Sequence, residues 1–344
     1  MKTRTVGVLA ALGVLAVTGG WYAGTRSTPA ESDRVSRETL MFPDLAPKLR
    51  EAAAIEITHQ GARTVIRKRA DGRWGIASLR EYPVQDVRLR GLLTGLTELR
   101  LAERRTSDPA QFSRLGVDDP NAAGSSADLL RVVDSGGVPI LALIVGHRRV
   151  RSRTNLPEEV YVRRPDETQS WLAEGNLQVD ADPAQWLDRD VMNIGHDRIV
   201  SIRVGDGALV FGRADGRVGV IHPTAHPKLD DYKVDSVARA LEVMTFQTVK
   251  ADADAPGNEA GRAVFATADG LAVTVTVFHA DKDVWARFAV SGSSDQVKQE
   301  ADRLNERLAG WSYQIGSWKE QSLVPTMDDL KAEQPAVAPD TDKK

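Results

Sequence analysis

The pentapeptide Arg69-Ala-Asp-Gly-Arg73 recurs unchanged as Arg213-Ala-Asp-Gly-Arg217, and this repetition decides the fold that we predict. A glycine follows each copy at the same offset, Gly75 in one and Gly219 in the other. The Asp-Gly pair is typical of tight hairpin turns, because glycine adopts positive φ without a steric cost. Each copy therefore predicts a turn between two antiparallel strands.

Alternating apolar and polar residues precede each copy. Ile55-Glu-Ile-Thr58 lies before the first copy and Ile199-Val-Ser-Ile-Arg-Val204 before the second. Each is followed by a glycine-containing turn and a further alternating run. Strict alternation indicates strands with one buried face. Each copy is thus predicted to lie in a three-stranded meander.

A helix is predicted after each meander. Tyr82-Pro-Val84 parallels Tyr232-Lys-Val234, and apolar residues then recur at helical spacing over residues 87–96 and 237–244. Proline suits a first helical turn, and an aspartate or serine at a helix start accepts hydrogen bonds from backbone N–H groups. We therefore place Pro83 in the first turn of one helix and a cap at Asp235 or Ser236 of the other.

A third, amphipathic helix is predicted over Ser294–Leu308, capped by Ser294 or Asp295. The remaining alternating segments predict strands over Leu99–Thr106, Leu129–Val133, Pro139–Val145, Val160–Arg164, Phe246–Ala251, Ala263–Thr267, Ala272–Phe278 and Trp285–Val290. Hairpin-linked strands with segregated helices indicate the α+β class, here two tandem repeats of an antiparallel sheet plus helices.

The N-terminus predicts a membrane anchor. Lys2 and Arg4 precede an uncharged stretch over residues 6–24. As a helix this stretch nearly spans a hydrocarbon core of roughly 30 Å. The leading cations favour a cytoplasmic N-terminus, so the body would lie in the periplasm or outside the cell, held by a single pass in a bacterial inner membrane. A cleaved signal peptide is the alternative; it also exports the body, but no good small-x-small cleavage site follows.

The chain is long enough, at 344 residues, for about two domains. We divide it as follows: residues 1–24 anchor helix, 25–45 linker, 46–192 first α+β repeat, 193–322 second α+β repeat, 323–344 disordered tail. The tail prediction rests on residues 328–344, which are rich in proline, alanine and charged side chains.

Composition excludes several classes of function. The chain has no cysteine, which removes disulfides, thiolate nucleophiles, iron–sulfur clusters and lipoprotein acylation. A net charge of −3 gives no global basic field, so we predict no nucleic-acid partner. The local basic run between Arg148 and Arg153 is offset by Glu158 and Glu159, as expected of a solvated hairpin edge.

No pattern predicts an active site, a cofactor or a metal. Only His222 and His226 are close in sequence, and a proline follows each, so they do not share a helix. The pairs Asp118-Asp119 and Asp230-Asp231 lie in turn-like contexts, where aspartates usually make local hydrogen bonds. No Gly-x-Ser-x-Gly, Walker or dinucleotide-binding motif is present. Catalytic, cofactor-binding and metal-binding residues are therefore predicted to be none, with core packing predicted for Trp171, Trp186, Trp285, Trp311 and Trp318.

The order of short motifs resembles domain-of-unknown-function family 4340. The motifs are Asp71-Gly-Arg-Trp74, Tyr82-Pro-Val84, Arg114-Leu-Gly-Val-Asp-Asp-Pro120, Val145-Gly146, Tyr161-Val-Arg163, Trp171-Leu172 and Asp182-Pro-Ala-Gln-Trp-Leu-Asp-Arg189. The similarity extends over nearly all of residues 40–330. In the last motif, Asp182 is expected to cap a helical turn that has Pro183 in its first position and Trp186 packed inward.

The resemblance implies an accessory protein of gliding-motility-type ABC transporters, with the permease and extracytoplasmic subunits as partners. It carries no catalytic residue over to this chain. Two alternatives stay open beside this non-enzymatic accessory subunit. One is an envelope glycan- or lipid-binding module with a cleft between the repeats. The other is a hydrolase whose site is assembled from distant aspartates and histidines.

Overall fold

A computed structural model describes residues 39–149, 158–252 and 257–332. Within these ranges the chain forms two antiparallel sheets and six α-helices, which agrees with the predicted mixture of antiparallel sheets and segregated helices. The helices are α1 (Leu45–Lys48), α2 (Asp86–Glu98), α3 (Phe112–Leu115), α4 (Asp231–Ala238), α5 (Asp295–Leu308) and α6 (Ser317–Leu323).

The first sheet has nine strands. They are β1 (Ala52–His59), β2 (Ala62–Lys68), β3 (Trp74–Ile76), β4 (Tyr82–Pro83), β5 (Arg100–Arg104), β6 (Asp128–Asp134), β7 (Pro139–Arg149), β8 (Glu159–Arg163) and β9 (Ser170–Glu174). Their order in the sheet is β4-β3-β2-β1-β6-β7-β8-β9-β5. The predicted meander is β1-β2-β3, with the Asp-Gly turn between β2 and β3.

The second sheet has eight strands. They are β10 (Ile199–Val204), β11 (Leu209–Ala214), β12 (Arg217–His222), β13 (Val249–Ala251), β14 (Asn258–Thr267), β15 (Leu271–Ala280), β16 (Asp283–Gly292) and β17 (Trp311–Ile315). Their order is β12-β11-β10-β14-β15-β16-β17-β13. Apart from β4, this order matches that of the first sheet strand for strand, and in both the strand after the helix lies at the far edge. Strands β9 and β17 were not among the predicted strands.

The helices begin at different residues from those predicted. Pro83 does not open a helix: it lies in β4, where it pairs with Gly75 and its carbonyl accepts a hydrogen bond from the Asp188 N–H. Helix α2 begins three residues later, at Asp86. Val87, assigned to the buried face, is 76% exposed. Proline suits a first helical turn, but here the chain around Pro83 is hydrogen-bonded in a sheet, and this pairing decides its conformation.

The cap of α4 also differs from the prediction. The Asp230 carboxylate accepts hydrogen bonds from the N–H groups of Tyr232 and Lys233, at 2.9 and 3.3 Å. Asp235 and Ser236, the predicted caps, lie inside the helix. The prediction for α5 is confirmed, since Ser294 Oγ accepts a hydrogen bond from the Val297 N–H.

The chain divides into two compact units whose boundaries differ from the predicted ones. The first comprises the chain up to Val65 together with Val87–Ala181, and the second comprises Ile66–Asp86 and the chain from Asp182 onward. The sequence division at residue 192 follows the repeat, whereas packing assigns the segment Ile66–Asp86 to the second unit.

The core of the first unit contains a close approach of helix α2 to the loop after β9. A Cβ atom on Gly95 would lie 2.3 Å from the Asn176 carbonyl oxygen, so only glycine fits there. Inward-facing side chains of the central strands β1 and β6 contribute to this core, among them the fully buried Ile55, Ile57 and Leu130. Alternation along these strands therefore predicts the buried face correctly.

The core of the second unit is built around Tyr82. Its ring meets those of Phe246 and Trp311 edge to face, at centroid distances of 5.8 and 5.0 Å. Phe246 in turn packs against Tyr313 at 5.0 Å. The Tyr82 hydroxyl donates a hydrogen bond to the Asp188 carbonyl. The segment Ile66–Asp86 thus supplies a central core residue of the second unit.

The chain ends depart from the prediction where the structure describes them. Residues 1–38, including the predicted anchor, and residues 333–344 lie outside the described ranges. Residues 39–45, assigned to the linker, pack on the first unit with Met41 and Leu45 buried. Residues 323–332, assigned to the disordered tail, are ordered: Leu330 is buried, and its carbonyl accepts a hydrogen bond from the Asp230 N–H. None of the described helices combines the length and apolar character that a membrane span requires.

Candidate functional site

The histidines that the sequence offers as metal ligands lie apart from other ligands. His222 ends strand β12, and the exposed His226 bonds through Nδ1 to the Pro227 carbonyl at 2.9 Å. Within residues 39–149, 158–252 and 257–332, no group of three or more histidines and carboxylates is placed to hold a metal ion.

The acidic pairs make the local hydrogen bonds that their turn-like contexts predict. Asp118 accepts a hydrogen bond from Ser125 Oγ at 2.8 Å, and Asp119 accepts one from the Asn121 N–H at 3.0 Å. Asp230 caps α4, as described above. These carboxylates stabilise turns and a helix start.

The five tryptophans assigned to the core differ in exposure, and Trp311 is half-buried. Trp171, Trp186 and Trp285 are buried, as predicted. Trp186 follows Asp182, whose carboxylate accepts a hydrogen bond from the Ala184 N–H, so the predicted capped turn is confirmed. Trp318 is 72% exposed, and its assignment to the core was wrong. Its neighbours Lys319, Glu320 and Gln321 are polar, which was the signal for an exposed helical face.

Trp318 and Tyr232 line one cleft within the second unit, here called the aromatic cleft. Its volume is about 450 Å³. Tyr232 stands in the first turn of α4, Trp318 in the first turn of α6, and Leu330 of the C-terminal segment completes the lining. Tyr232 is 82% exposed, because the residues that α4 buries, Val234 and Val237, lie on the opposite side of the helix.

Several polar groups of the aromatic cleft are engaged in hydrogen bonds or ion pairs with neighbouring residues. Arg239 Nε lies 2.6 Å from Asp235, and Asp329 accepts hydrogen bonds from the Thr326 N–H and hydroxyl. Lys233 Nζ donates to the Lys331 carbonyl at 3.1 Å. The two large aromatic rings are therefore the most accessible binding surface of the cleft.

Lys319 also lines the aromatic cleft. Its ammonium lies 5.5 Å from the centre of the Trp318 ring, within range of a cation–π attraction. Burial lowers the pKa of Lys319, and the charge of Glu242 only partly opposes this. A partly desolvated cation beside an exposed ring favours a ligand that combines an apolar face with a polar edge.

Arg239 is held in place by an ionic network behind the aromatic cleft. Its Nη1 lies 3.2 Å from Glu242, and Glu242 lies 2.6 Å from His196 Nδ1. Burial raises the pKa of Glu242, but hydrogen bonds from the His196 backbone N–H, the His196 ring and Arg239 outweigh it and lower that pKa. The carboxylate thus stays ionised and fixes the arginine.

Sequence reasoning missed both aromatic residues of this cleft. Tyr232 was paired with Tyr82 as its repeat counterpart, and Tyr82 is buried at 4% exposure. The nearby Asp230-Asp231 pair was the available signal, because a cap at Asp230 places Tyr232 in the first helical turn. The distribution of burial around the helix then decides that its ring faces solvent.

Comparison with known proteins gives one match. The model of a protein family described as Domain of unknown function (DUF4340) matches residues 74–261, more than half of the chain. No curated protein and no solved structure matches the chain.

Proposed function

The chain belongs to the DUF4340 family, and from that premise we propose that it is a non-catalytic binding subunit that uses the aromatic cleft to hold a partner. In this proposal it is a membrane-anchored, extracytoplasmic accessory subunit of a gliding-motility-type ABC transporter complex. The observation that carries the proposal is the shared cleft of Tyr232 and Trp318, both more than two-thirds exposed.

The residue types of the aromatic cleft favour protein binding. Tryptophan, tyrosine and arginine are the residues enriched at the energetic centres of protein interfaces. Tyr232, Trp318 and Arg239 all line this cleft. Arg239 is already oriented by Asp235 and Glu242, so little side-chain entropy is lost when a partner contacts it.

The predicted anchor supports a weak interface of this size. A helix over residues 1–24 would confine the body to the membrane that holds the permease. Confinement raises the effective concentration of the partner, so a modest cleft suffices for stable association. The extracytoplasmic subunits of the transporter are therefore the proposed occupants of the aromatic cleft.

The test is a detergent pull-down of the tagged full-length protein from native membranes, with partners identified by mass spectrometry. We expect recovery of an ABC permease and its ATPase. Tyr232→Ala with Trp318→Ala should reduce that recovery at least tenfold, since each lost interface anchor costs about 2 kcal/mol. Val138→Ala, which truncates an exposed apolar side chain at the β6–β7 turn, is the matched control and should change nothing.

Two outcomes would contradict the proposal. Recovery of the wild-type protein alone, as a stable monomer, would contradict the proposal that a transporter is its partner. Equal recovery of the transporter subunits with the double variant and with the wild type would contradict the proposal that the aromatic cleft is the binding surface.

A second candidate function is an envelope glycan-binding module. The observation that favours it is the same pair of exposed rings, because sugar rings stack their apolar faces on tryptophan and tyrosine. The sequence placed such a cleft between the repeats, whereas the aromatic cleft lies within the second unit. Quenching of Trp318 fluorescence by envelope oligosaccharides, lost in Trp318→Ala, would favour this function over the first.

A further inference from the structure

A second cavity of the second unit, of about 610 Å³, is lined mainly by cations and is here called the basic pocket. The cations are Arg67, Lys68, Arg69, Arg73, Arg80 and Arg307. We propose that the basic pocket binds an acidic sugar, a hydroxylated ring that carries a carboxylate or phosphate. The basic pocket is separate from the aromatic cleft, and the proposal for one does not depend on the proposal for the other.

Charge in the lining of the basic pocket favours an anion. Two carboxylates, Glu81 and Glu306, lie in the lining beside the six cations, and Asp71 and Asp188 pair with the lining residues Arg69 and Arg307. Cations therefore outnumber carboxylates among the residues that face the pocket. A small anion is attracted to this surface, whereas a long polyphosphate would meet Glu81 and Glu306 as well.

One wall of the basic pocket is a turn in an uncommon backbone conformation. Arg80 and Glu81 are consecutive non-glycine residues with φ of 49° and 62°. The Glu81 N–H donates to the Ile76 carbonyl at 3.0 Å, and a Cβ on Gly75 would lie 2.4 Å from the Glu81 carbonyl oxygen. Such left-handed pairs persist only where the surroundings determine them, and they concentrate at binding sites.

The opposite wall offers a flat apolar surface. Trp311 is half-buried and lines the basic pocket beside Pro83 and Ala309. Its ring is fixed by Tyr82, which meets it edge to face at 5.0 Å and 88°. A held indole face beside cations is suited to the apolar face of a sugar ring. This surface would favour a sugar acid over a simple inorganic anion, which has no apolar face to pack on the indole.

Glu81 adds a need for a hydrogen-bond donor. One oxygen, Oε1, pairs with Arg67 at 3.2 Å. The other, Oε2, is shielded from solvent and receives no hydrogen bond from the described residues. Glu81 lines the basic pocket, and the terminal torsion of glutamate is broad, so rotation about it can present Oε2 to a ligand. A sugar hydroxyl would then donate a hydrogen bond to it.

The first arginine of the second copy has different neighbours from its counterpart in the first copy. Arg213, the counterpart of Arg69, donates to the carbonyls of Ile199 and Gly216 at 2.7 Å each and also to that of His196. Its guanidinium is occupied by structural contacts. The first pentapeptide therefore lines the basic pocket, whereas the guanidinium of Arg213 in the second is held by backbone carbonyls, and the second copy serves as a matched control.

The experiment is isothermal titration calorimetry of the full chain in detergent at low salt, with tetragalacturonate as the probe. Its fully methyl-esterified form has the same rings without charge. We expect the acid to bind and the ester to bind at least tenfold more weakly. Arg73→Met should weaken binding of the acid at least tenfold, whereas Arg217→Met, the same change in the second copy, should leave it unchanged.

The contribution of the Trp311 wall is tested with Trp311→Phe, which keeps a ring against Tyr82. We expect this variant to weaken tetragalacturonate binding but leave any weak binding of inorganic phosphate unchanged. Equal affinity for the acid and the ester would overturn the proposal. So would equal losses in the Arg73 and Arg217 variants, or full displacement of the probe by equimolar inorganic phosphate.

Discussion

Arg69 and Arg213 hold the same position in two copies of one pentapeptide, and their guanidinium groups have different neighbours. Arg69 pairs with the exposed Asp71 at 3.3 Å and lines the basic pocket. Arg213 donates to three backbone carbonyls, those of His196, Ile199 and Gly216. The turn itself forms in both copies, because Asp-Gly encodes it locally. What each arginine does depends on the chain that packs beside it.

The tyrosines that follow the two meanders differ even more. Tyr82 is the centre of an aromatic core, and Tyr232 is exposed in the aromatic cleft. Tyr82 lies in a strand and Tyr232 in the first turn of a helix, so their side chains leave the backbone in different directions. A shared motif therefore carries a structural residue in one copy and a candidate binding residue in the other.

The largest expected difference between the copies is in these tyrosines. Tyr82→Ala should lower the free energy of unfolding by about 3 to 5 kcal/mol, because it removes a buried aromatic ring and leaves a cavity. Tyr232→Ala should change it by less than about 0.5 kcal/mol, as is usual for an exposed side chain. Urea denaturation followed by fluorescence measures both. Equal losses would mean that Tyr232 is packed in solution.

The next difference concerns the two glycines. A Cβ on Gly75 would lie 2.4 Å from a backbone oxygen, whereas a Cβ on Gly219 meets nothing within 4 Å. Gly75→Ala should therefore cost about 3 kcal/mol of stability through overpacking. Gly219→Ala should be neutral or slightly stabilising, because alanine reduces the entropy of the unfolded chain. Thermal unfolding of the two variants side by side checks the prediction, and a neutral Gly75→Ala would contradict the tight turn.

A smaller difference is expected for the two arginines. Arg213→Met removes charged donors from three backbone carbonyls and should cost about 1.5 kcal/mol. Arg69→Met removes one exposed ion pair and should cost less than about 0.5 kcal/mol. Chemical denaturation of both variants is the measurement. Equal costs would show that the two turns are held in the same way.

The two units also contain histidine–carboxylate pairs of opposite pH response. In the first unit, burial raises the pKa of Asp128, and its partner His59 only partly opposes this. In the second unit, burial also raises the pKa of Glu242, but hydrogen bonds from His196 and Arg239 outweigh it and the pKa is lowered. The raised pKa makes the folded state bind its proton more tightly than the unfolded state, and the lowered pKa does the reverse.

These directions fix the sign of the pH dependence. Stability contributed by Glu242 is present above its unfolded pKa and lost as pH falls through the folded one, so Glu242→Gln should lose less stability than the wild type between pH 6 and pH 3. The contribution of Asp128 to the free energy of unfolding rises as pH falls, because the folded state binds its proton more tightly. Asp128→Asn lacks this contribution and should therefore lose more stability than the wild type over the same range. Urea midpoints at several pH values test both signs, and shifts in the same direction would refute the contrast.

Much of the fold was predictable from local patterns. Alternation located the strands of both meanders, and helical spacing together with Ser294 located α5. The strands β9 and β17 were missed, because burial does not alternate along them: the first four residues of β9 are all buried, and Ser312 and Tyr313 of β17 are both buried. Pro83 and Asp235 were assigned to helix starts because local propensity was the only available evidence there. Pairing of Pro83 with Gly75 in the sheet and the cap at Asp230 overrode it.

The sequence by itself determined the two turns, the alternation of the strands and the strand–helix order of each repeat, since these depend on residues close along the chain. Only the tertiary structure decided that Ile66–Asp86 packs with the second unit, that Tyr82 is buried and Tyr232 exposed, and that one of two identical pentapeptides lines a basic pocket. The physical reason is that burial and charge at a site come from residues distant in sequence. Two copies of a motif can therefore have the same local structure and different tertiary neighbours.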